Sequence, residues 1–287
     1  MKLLSFGEIL WDVFPDKAVI GGAPLNFAAH FARLGGESYM LSAVGRDALG
    51  ENALECLKKW GINTKYVALS NYQTGSCQVT LSEKGIPSYN LLENVAYDYI
   101  GCEIEDNFDL LYFGTLALRG EGNRASLKKV IEENAFKDIF CDINIRPPFF
   151  TRENIEFALN NATVLKISDE ELPVILEELK VSATDYKSAV LTLAKQYKNL
   201  KIIIITLGEK GSFVYDVLNG EAHSTDSEKV EVVSTVGAGD SFSAAFLYKY
   251  TVNALVPECL AAATRLSAFV VSQLGAIPDY DPAFMLT

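Results

Sequence analysis

The sequence predicts an α/β fold in which a mostly parallel sheet carries helices on both faces. From Leu110 onward, short apolar runs alternate with segments that show the helical period. The run Ile202–Ile205 is continuous and β-branched, which is typical of a strand covered on both faces. Of the 287 residues, 49% are hydrophobic and 22% are charged, so the chain can bury a core of this kind as one domain over residues 1–287.

The first strand is predicted over Lys2 to Phe6, and the first helix begins near Pro24, where a missing N–H is harmless. This helix is apolar almost all round and stops at Gly35, so we expect it to be buried and its His30 to be a core histidine. The other predicted strands cover residues 39–44, 110–113, 139–143, 163–167 and 202–207. The other predicted helices cover residues 51–60, 123–133, 152–159, 170–179, 188–197 and 259–272.

Residues 76–92 predict a hairpin that interrupts the regular alternation of strands and helices. Residues 76–82 alternate polar and apolar side chains as a first strand, Glu83-Lys84-Gly85 forms a turn, and residues 88–92 form the second strand. One face of the hairpin is therefore exposed to solvent or faces a ligand. A lid beside the first helix and a plain edge hairpin both fit this pattern. An open edge would also allow a homodimer through the hairpin.

Charge and cysteine content exclude several classes of protein. The net charge of −12 argues against nucleic acid or an anionic membrane as partner, although backbone amides can still bind ATP in an acidic protein. The five cysteines are scattered and include no C-x-x-C, so we expect reduced thiols and a cytoplasmic protein. The N-terminus does not begin a signal peptide, and no apolar run is long enough to span a bilayer.

The stretch Val236–Phe242 (VGAGDSF) carries the clearest chemical signal. Val230–Val232 before it alternates like a strand, and an apolar helical segment follows it. Glycines on such a turn allow close approach to a ligand, and the N–H groups of a helix start suit an anion. Asp240 lies in that first turn. It is either a helix cap or an acid that accepts a proton during reaction, for which a phosphoryl-acceptor hydroxyl is the natural donor.

Polar groups also follow other predicted strands, and together they indicate one crevice at the carboxyl edge of the sheet. They lie in the segments 142–146, 166–171 and 206–211. Asn26, near the mouth of the buried helix, is either a satisfied structural amide or a group that binds polyol hydroxyls. The spacing of Gly45 and Gly50 imitates a P-loop, but Glu51 stands where lysine is required, which excludes a P-loop ATPase.

These motifs resemble those of the ribokinase-like sugar kinases, also called the phosphofructokinase-B family, over nearly the whole chain. Gly21–Asn26 (GGAPLN) resembles the first family signature, and Ser234–Asp240 (STVGAGD) resembles the second and more specific one. Segments 45–50, 142–146 and 206–211 match in order between them. Segments 7–12 (GEILWD) and 166–171 (KISDEE) are most similar to fructokinases.

The resemblance implies a three-layer α/β/α ribokinase-like fold with a small β-sheet lid, formed by about residues 10–20 and 73–100. It implies that Asp240 is the base and that the amides of Gly237, Ala238 and Gly239 form an anion hole. The implied sugar-binding residues are Asp12, Gly22, Asn26, Gln78, Tyr89 and Arg146. The implied ATP-binding residues are Thr206, Gly208, Gly211 and Ser168, and Glu171 would place Mg²⁺ through water. The second signature opens with Ser234 where relatives have an aspartate that helps to hold K⁺, so K⁺ binding stays open.

The function that follows is an ATP-dependent sugar kinase, most closely a fructokinase that makes fructose 6-phosphate. The alternatives are a kinase for another sugar or sugar acid, such as ribose or 2-keto-3-deoxygluconate, and a catalytically inactive sugar-binding homologue. A sugar acid would need a cation in the pocket, for which Arg119 and Arg146 are the candidates. Hydride transfer is excluded, because no G-x-G-x-x-G follows the first strand.

Overall fold

The computed structural model describes residues 1–81 and 87–286, without the side chains of residues 79–81, 87–89 and 284. In chain order the described strands are β1 Lys2–Phe6, β2 Leu10–Val13, β3 Ala18–Gly21, β4 Glu37–Gly45, β5 Ile62–Ser70, β6 Gly75–Leu81, β7 Pro87–Leu91, β8 Leu110–Gly114, β9 Asp138–Asp142, β10 Val164–Ser168, β11 Ile202–Thr206, β12 Ser212–Asp216 and β13 Glu221–Thr225. The helices are α1 Ala23–Arg33, α2 Ala48–Lys59, α3 Glu121–Glu133, α4 Arg152–Asn161, α5 Leu172–Leu179, α6 Tyr186–Gln196, α7 Ala238–Thr251, α8 Val256–Val271 and α9 Pro282–Leu286, with 3₁₀ turns at Ala96–Asp98, Leu116–Arg119 and Gly208–Lys210.

The large sheet is mostly parallel, as the sequence predicts. Its spatial order is β13-β12-β11-β10-β9-β8-β1-β4-β5. Every neighbouring pair from β11 to β5 is parallel, and β12 and β13 add an antiparallel edge. Because β12 reverses direction and β13 reverses it again, Thr225 at the end of β13 lies at the same edge as Thr206 at the end of β11. The polar groups that follow the strands therefore share one edge.

Helices cover both faces of this sheet, which confirms the three-layer arrangement. Ile203 and Ile205 pack into a core with side chains of α3, α4, α5 and α6. Ile202 and Ile204 pack on the other face, where α1, α7 and α8 supply the apolar side chains. Alternate residues of one strand thus enter two cores, which is why the run is apolar without a break.

The small sheet has the order β3-β2-β6-β7 and is built from both segments that the resemblance assigns to a lid. β2 and β6 pair in parallel, while β3 and β7 flank them as antiparallel edges. The predicted turn at residues 83–85 lies outside the described residues. Pairing of two copies through this sheet stays a prediction. Within the described chain, no helix combines the length and the apolar character that crossing a bilayer requires.

The strand predicted at Val230–Val232 is wrong. The described backbone there is irregular, and α7 follows a loop that begins after Thr225 rather than a strand. Val232 is 64% exposed, so its alternation with Glu231 does not reflect a buried sheet face. β13 already forms the sheet edge, which leaves these valines no neighbouring strand on which to pack. The glycine turn is therefore a loop-to-helix turn, still at the carboxyl edge of the sheet.

Candidate active site

Asp240 lies in the first turn of α7 and is half-buried as a residue. Burial raises its pKa to about 6, and the hydrogen bond from Asn26 acts in the opposite direction. The amide Nδ2 of Asn26 donates to Oδ2 of Asp240 at 2.8 Å. An acid with a pKa near 6 is ionised at neutral pH yet can accept a proton, as a general base must.

Asn26 reaches Asp240 from α1, which crosses beneath the sheet on the same face as α7. Its backbone N–H donates to the carbonyl oxygen of Gly22 at 2.9 Å, so its position is fixed one turn after the helix start. Its side-chain Oδ1 is buried and has no hydrogen-bond partner among the described residues. Asn26 therefore orients Asp240 through one end of the amide, and the acceptor oxygen at the other end is enclosed and unpaired among the described residues.

The glycine turn places Gly237 as the N-cap of α7 in the left-handed region, with φ of 81°. A Cβ at this position would lie 2.7 Å from Cα of Ala276, so both the backbone conformation and the space require glycine. The N–H of Ala238 donates to the carbonyl of Thr235 at 3.3 Å, which partly engages one of the three predicted anion-hole donors. The helix start still presents a partial positive charge at this point.

Lys166 is a site residue for which the sequence analysis proposed no role. Its Nζ forms a buried ion pair with Asp142, at 2.9 Å from Oδ1 and 2.8 Å from Oδ2. The same Nζ lies 3.3 Å from where a Cβ of Gly239 would be, so the ammonium is directly beneath the glycine turn. Burial lowers the pKa of Lys166, but the charges of Asp142 and Glu171 outweigh it and raise the pKa overall. The only signal in the sequence was a lysine inside the apolar run of β10.

A cavity of about 810 Å³ opens on one side of the glycine turn. All four predicted ATP-binding residues line it, together with Ala238 and Gly239 of the turn. Further lining residues come from the irregular loop after β13 and from α8, among them Lys229, Val230, Val232, Thr264, Ala268 and Val271. The loop that was predicted as a strand therefore forms a wall of this cavity.

Glu171 joins the ends of β9 and β10. Its Oε1 accepts the N–H of Ile145 at 2.6 Å, and its Oε2 accepts the N–H of Ser168 at 2.8 Å. Each carboxylate oxygen keeps a second lone pair that suits metal-bound water, but Glu171 itself does not line the cavity described above. The described residues contain no cluster of three or more acidic, histidine or cysteine side chains that could hold a metal directly.

Of the predicted sugar-binding residues, Asp12 and Gln78 belong to the small sheet and Asn26 lies beside Asp240. Asp12, on β2, is half-buried, and burial raises its pKa while Arg146 lowers it. Gln78 is exposed on β6, and Arg146 is exposed in the segment after β9. Gly22 adjoins the start of α1. The side chain of Tyr89 lies outside the described residues, so its predicted contact stays a prediction.

Arg119, the other candidate cation, is already neutralised. Its Nε and Nη2 donate to the two carboxylate oxygens of Asp98 at 2.7 and 2.8 Å. Its guanidinium lies over the rings of Tyr97 and Phe149, at 4.9 and 4.8 Å from their centroids. With only 7% of the side chain exposed, Arg119 stabilises the fold beneath the small sheet.

Comparison with known proteins agrees with this geometry. The profile of the pfkB family carbohydrate kinases matches residues 6–283. The chain belongs to the pfkB family of carbohydrate kinases. It is therefore a phosphotransferase that acts on an alcohol group. It is 29% identical to probable fructokinase-5 of Arabidopsis thaliana, over 96% of this chain and 93% of that protein.

Solved structures share the fold. An uncharacterized sugar kinase from Pyrococcus horikoshii in complex with ATP superposes with a TM-score of 0.81 at 26% identity, over 96% of this chain and 94% of the other. The fructokinase from Vibrio cholerae O395, in a form with fructose, ADP and calcium ion bound, superposes with a TM-score of 0.82 at 22% identity over the same shares. At that identity the second likeness shows the fold alone.

Gly237→Ala should lower both kcat of this carbohydrate kinase and its free energy of unfolding. The added Cβ favours a different φ and would displace Ala276 or the turn, which moves the amides that face the cavity. We expect a loss in kcat of at least about ten-fold.

Gly220→Ala is the matched control, because Gly220 has φ of 71° but nothing within 4 Å of its Cβ position. That control should cost roughly 1–2 kcal/mol of stability and leave kcat unchanged. Equal kcat in the two variants would contradict a catalytic role for the turn.

Proposed function

We propose that this carbohydrate kinase is an ATP-dependent fructokinase, which converts D-fructose and ATP into fructose 6-phosphate and ADP. The observation that carries the proposal is the hydrogen bond between Asp240, which follows the cavity-lining Gly239, and Asn26, which lies on the helix that follows β3 of the small sheet. A base at this point adjoins a nucleotide on one side and a sugar on the other. The curated relatives named fructokinase support fructose as the sugar.

The reaction proceeds by in-line transfer. Asp240 accepts the proton of the fructose 6-hydroxyl as that oxygen forms a bond to the terminal phosphorus of ATP. The bond between this phosphorus and the bridging oxygen breaks, and its electron pair stays on the β-phosphate of ADP. Because the transition state is loose, placement of the two reactants contributes more than the strength of the base.

The start of α7 stabilises the charge on the moving phosphoryl group. Ala238 and Gly239 line the cavity and Gly237 is the N-cap of the helix, so the partial positive charge of the helix start lies beside the cavity, with the N–H of Ala238 partly engaged by Thr235. Lys166 adds a buried positive charge under the same turn. Thr206, Gly208, Gly211 and Ser168 border the phosphates from the ends of β10 and β11.

Mg²⁺ is the divalent cation that ATP requires, and it neutralises phosphate charge when bound. In this chain Glu171 would hold its water ligands, since both carboxylate oxygens keep an unused lone pair. The Oγ of Ser234 accepts the N–H of Val236 at 3.3 Å, so Ser234 supports the turn and provides no charge for K⁺. Binding of K⁺ at this turn stays a prediction.

A neutral sugar fits the pocket better than a sugar acid. Arg119 is paired with Asp98 and its side chain is only 7% exposed, while its Nη1 is buried without a hydrogen-bond partner among the described residues. Arg146 is exposed, and its charge already lowers the pKa of four carboxyl groups, those of Glu8, Asp12, Asp142 and Asp240. Four carboxyl groups around one guanidinium suit the hydroxyls of a polyol and would repel the carboxylate of 2-keto-3-deoxygluconate. We propose that the small sheet is the lid that covers this sugar within a single domain, residues 1–287.

The decisive experiment compares initial rates with fructose, ribose and 2-keto-3-deoxygluconate at saturating ATP. We expect kcat/KM to be highest for fructose, by at least about ten-fold. Asp12→Asn should raise the fructose KM roughly ten-fold or more while the ATP KM stays constant, because a charged hydrogen-bond acceptor is lost. Asp16→Asn, on the same small-sheet segment but exposed, is the matched control and should change neither KM.

Two other outcomes would select the alternatives. A higher kcat/KM for ribose or for the sugar acid would overturn fructose as the substrate but leave the kinase mechanism intact. Saturable sugar binding without turnover of any of the three sugars would instead favour a catalytically inactive sugar-binding homologue.

A further inference from the structure

Glu8 is a buried acid that the mechanism above does not use. It follows β1 and precedes β2, and only 2% of the residue is exposed. Its Oε1 accepts the backbone N–H of Ala23 at 3.3 Å. Its Oε2 is buried without a hydrogen-bond partner among the described residues. A carboxyl group in such surroundings is costly, so its presence calls for a physical reason.

The start of α1 explains what Glu8 does. The N-cap of this helix is Gly22, which has no side chain to accept a hydrogen bond, and the first turn contains no acidic residue. The helix begins at Ala23, whose N–H needs an acceptor outside the helix, and the next residue, Pro24, carries no N–H. Glu8 provides that acceptor from another segment of the chain, as an N-cap side chain does within a helix.

The backbone and side chain of Glu8 both pack closely against Gly22 at the start of α1. A Cβ on Gly22 would lie 2.5 Å from the carbonyl oxygen of Glu8 and 3.3 Å from its Cγ. Gly22 also has φ of 118°, which only glycine adopts readily. The carbonyl of Gly22 accepts the N–H of Asn26, and the side chain of Asn26 holds Asp240. Glu8 is thus separated from the base by one helical turn and two side-chain hydrogen bonds.

We propose that Glu8 is a positioning residue for the base: it fixes the start of α1 and thereby holds Asn26 in hydrogen-bond contact with Asp240. The proposal rests on the proposed function for its kinetic part only. The contacts that carry it are Glu8 Oε1 with Ala23 N at 3.3 Å and Asn26 Nδ2 with Asp240 Oδ2 at 2.8 Å.

The role needs an acceptor oxygen and not a charge. Burial raises the pKa of Glu8 to about 7, Arg146 lowers it and Asp240 raises it further. The carboxyl group is therefore largely neutral at the pH where Asp240 titrates, and a neutral carboxyl still accepts through Oε1. Glutamine keeps this acceptor, whereas methionine fills a similar volume without it.

Steady-state kinetics with fructose test the positioning role. Glu8→Met should lower kcat by about ten-fold through misplacement of the base, with the ATP KM unchanged, and Glu8→Gln should restore kcat to near wild type. The double variant Glu8→Met/Asn26→Ala should be no slower than Asn26→Ala alone, because both changes interrupt the same series of contacts from Glu8 through Asn26 to Asp240. Asp185→Ala is the control, since Asp185 caps α6 far from the site through Ser188 N at 2.7 Å. It should leave all kinetic constants unchanged.

A titration of Asp240 by ¹³C NMR tests the same idea without any substrate. The groups that face Asp240 are Asn26, Asp142, Lys166, Arg146, Glu8 and Tyr112. Loss of the Asn26 hydrogen bond removes stabilisation of the carboxylate, so the pKa of Asp240 should rise above about 6 in Glu8→Met and in Asn26→Ala, but not in Glu8→Gln.

The outcomes separate this inference from the proposed function. A raised pKa of Asp240 in a protein that does not phosphorylate fructose would overturn the substrate and keep the positioning role. A folded Glu8→Met variant with an unchanged Asp240 titration, or a double variant whose losses multiply, would overturn the positioning role. So would a folded Glu8→Gln variant that loses kcat, which keeps the test decisive if the methionine variant fails to fold.

Discussion

Asp240→Asn should lower kcat for fructose by roughly a thousand-fold, within the range that general-base catalysis contributes. The asparagine keeps the size of the side chain and can still accept a hydrogen bond from Asn26 through its own oxygen. It cannot take a proton from the sugar hydroxyl. Binding of fructose and of ATP, measured by titration calorimetry, should therefore remain close to wild type while turnover is lost.

Asp281→Asn provides the control for this substitution. Asp281 is an exposed acid that does not line the cavity, and its carboxylate accepts the N–H of Ala283 at 2.9 Å. Its kcat should equal that of the wild type. An Asp240→Asn enzyme whose kcat stays within ten-fold of that control would show that proton removal by this residue is not part of the reaction.

The pH dependence gives an independent readout of the same carboxyl. Because Asp240 acts in its ionised form and has a pKa of about 6, kcat/KM should fall by about ten-fold for each pH unit below 6. The folded-state pKa is raised above its unfolded value, so the neutral form stabilises the fold and this contribution is lost as pH rises through 6. Asp240→Asn should consequently melt at a higher temperature than wild type at pH 7.5 and at the same temperature at pH 4.

The sheet could be predicted from sequence because its pattern is local. The isoleucine run of β11 has apolar side chains toward both cores, so its periodicity alone identifies a doubly covered strand. Local pattern also explains the error at Val230–Val232, since alternation says nothing about whether a neighbouring strand exists. There the sheet already ends at β13, and the valines line a cavity instead.

The contacts that define the site could not be predicted from sequence, because they depend on how distant segments meet. Asn26 and Asp240 are 214 positions apart, and only the packing of α1 against α7 brings them together. Lys166 meets Asp142 because β10 lies beside β9 with these two residues in register. Strand order and register follow from the whole fold, so the residue types were visible while their pairing was not.

Lys166→Met should produce the largest loss of stability among these substitutions. Asp142 and Lys166 are both almost fully buried, and Ser243 Oγ, at 3.4 Å from Oδ2, is a weak further donor to Asp142. Removal of the ammonium leaves a buried carboxylate without its cation, which costs about 3–5 kcal/mol. The melting temperature should fall by roughly 10 °C, as measured by calorimetry at neutral pH.

The pair Lys201–Asp138 is a matched control, because its Nζ and Oδ1 are also 2.8 Å apart and also join neighbouring segments of the sheet. It is partly exposed and lies at the opposite edge, so Lys201→Met should cost about 1 kcal/mol or less and leave the kinetics unchanged. Equal losses of stability in the two variants would contradict the assignment of a desolvated charge to Asp142.

The double variant Lys166→Met/Asp142→Asn separates stability from catalysis. With both charges gone, the melting temperature should recover, because no uncompensated charge stays buried. The charge of Lys166 lowers the pKa of Asp240 and that of Asp142 raises it. The acid limb of kcat/KM should therefore move to higher pH in Lys166→Met and return in the double variant. The kcat of the double variant should remain low, since the ammonium under Gly239 is absent. Full recovery of kcat together with stability would show that Lys166 only supports the fold.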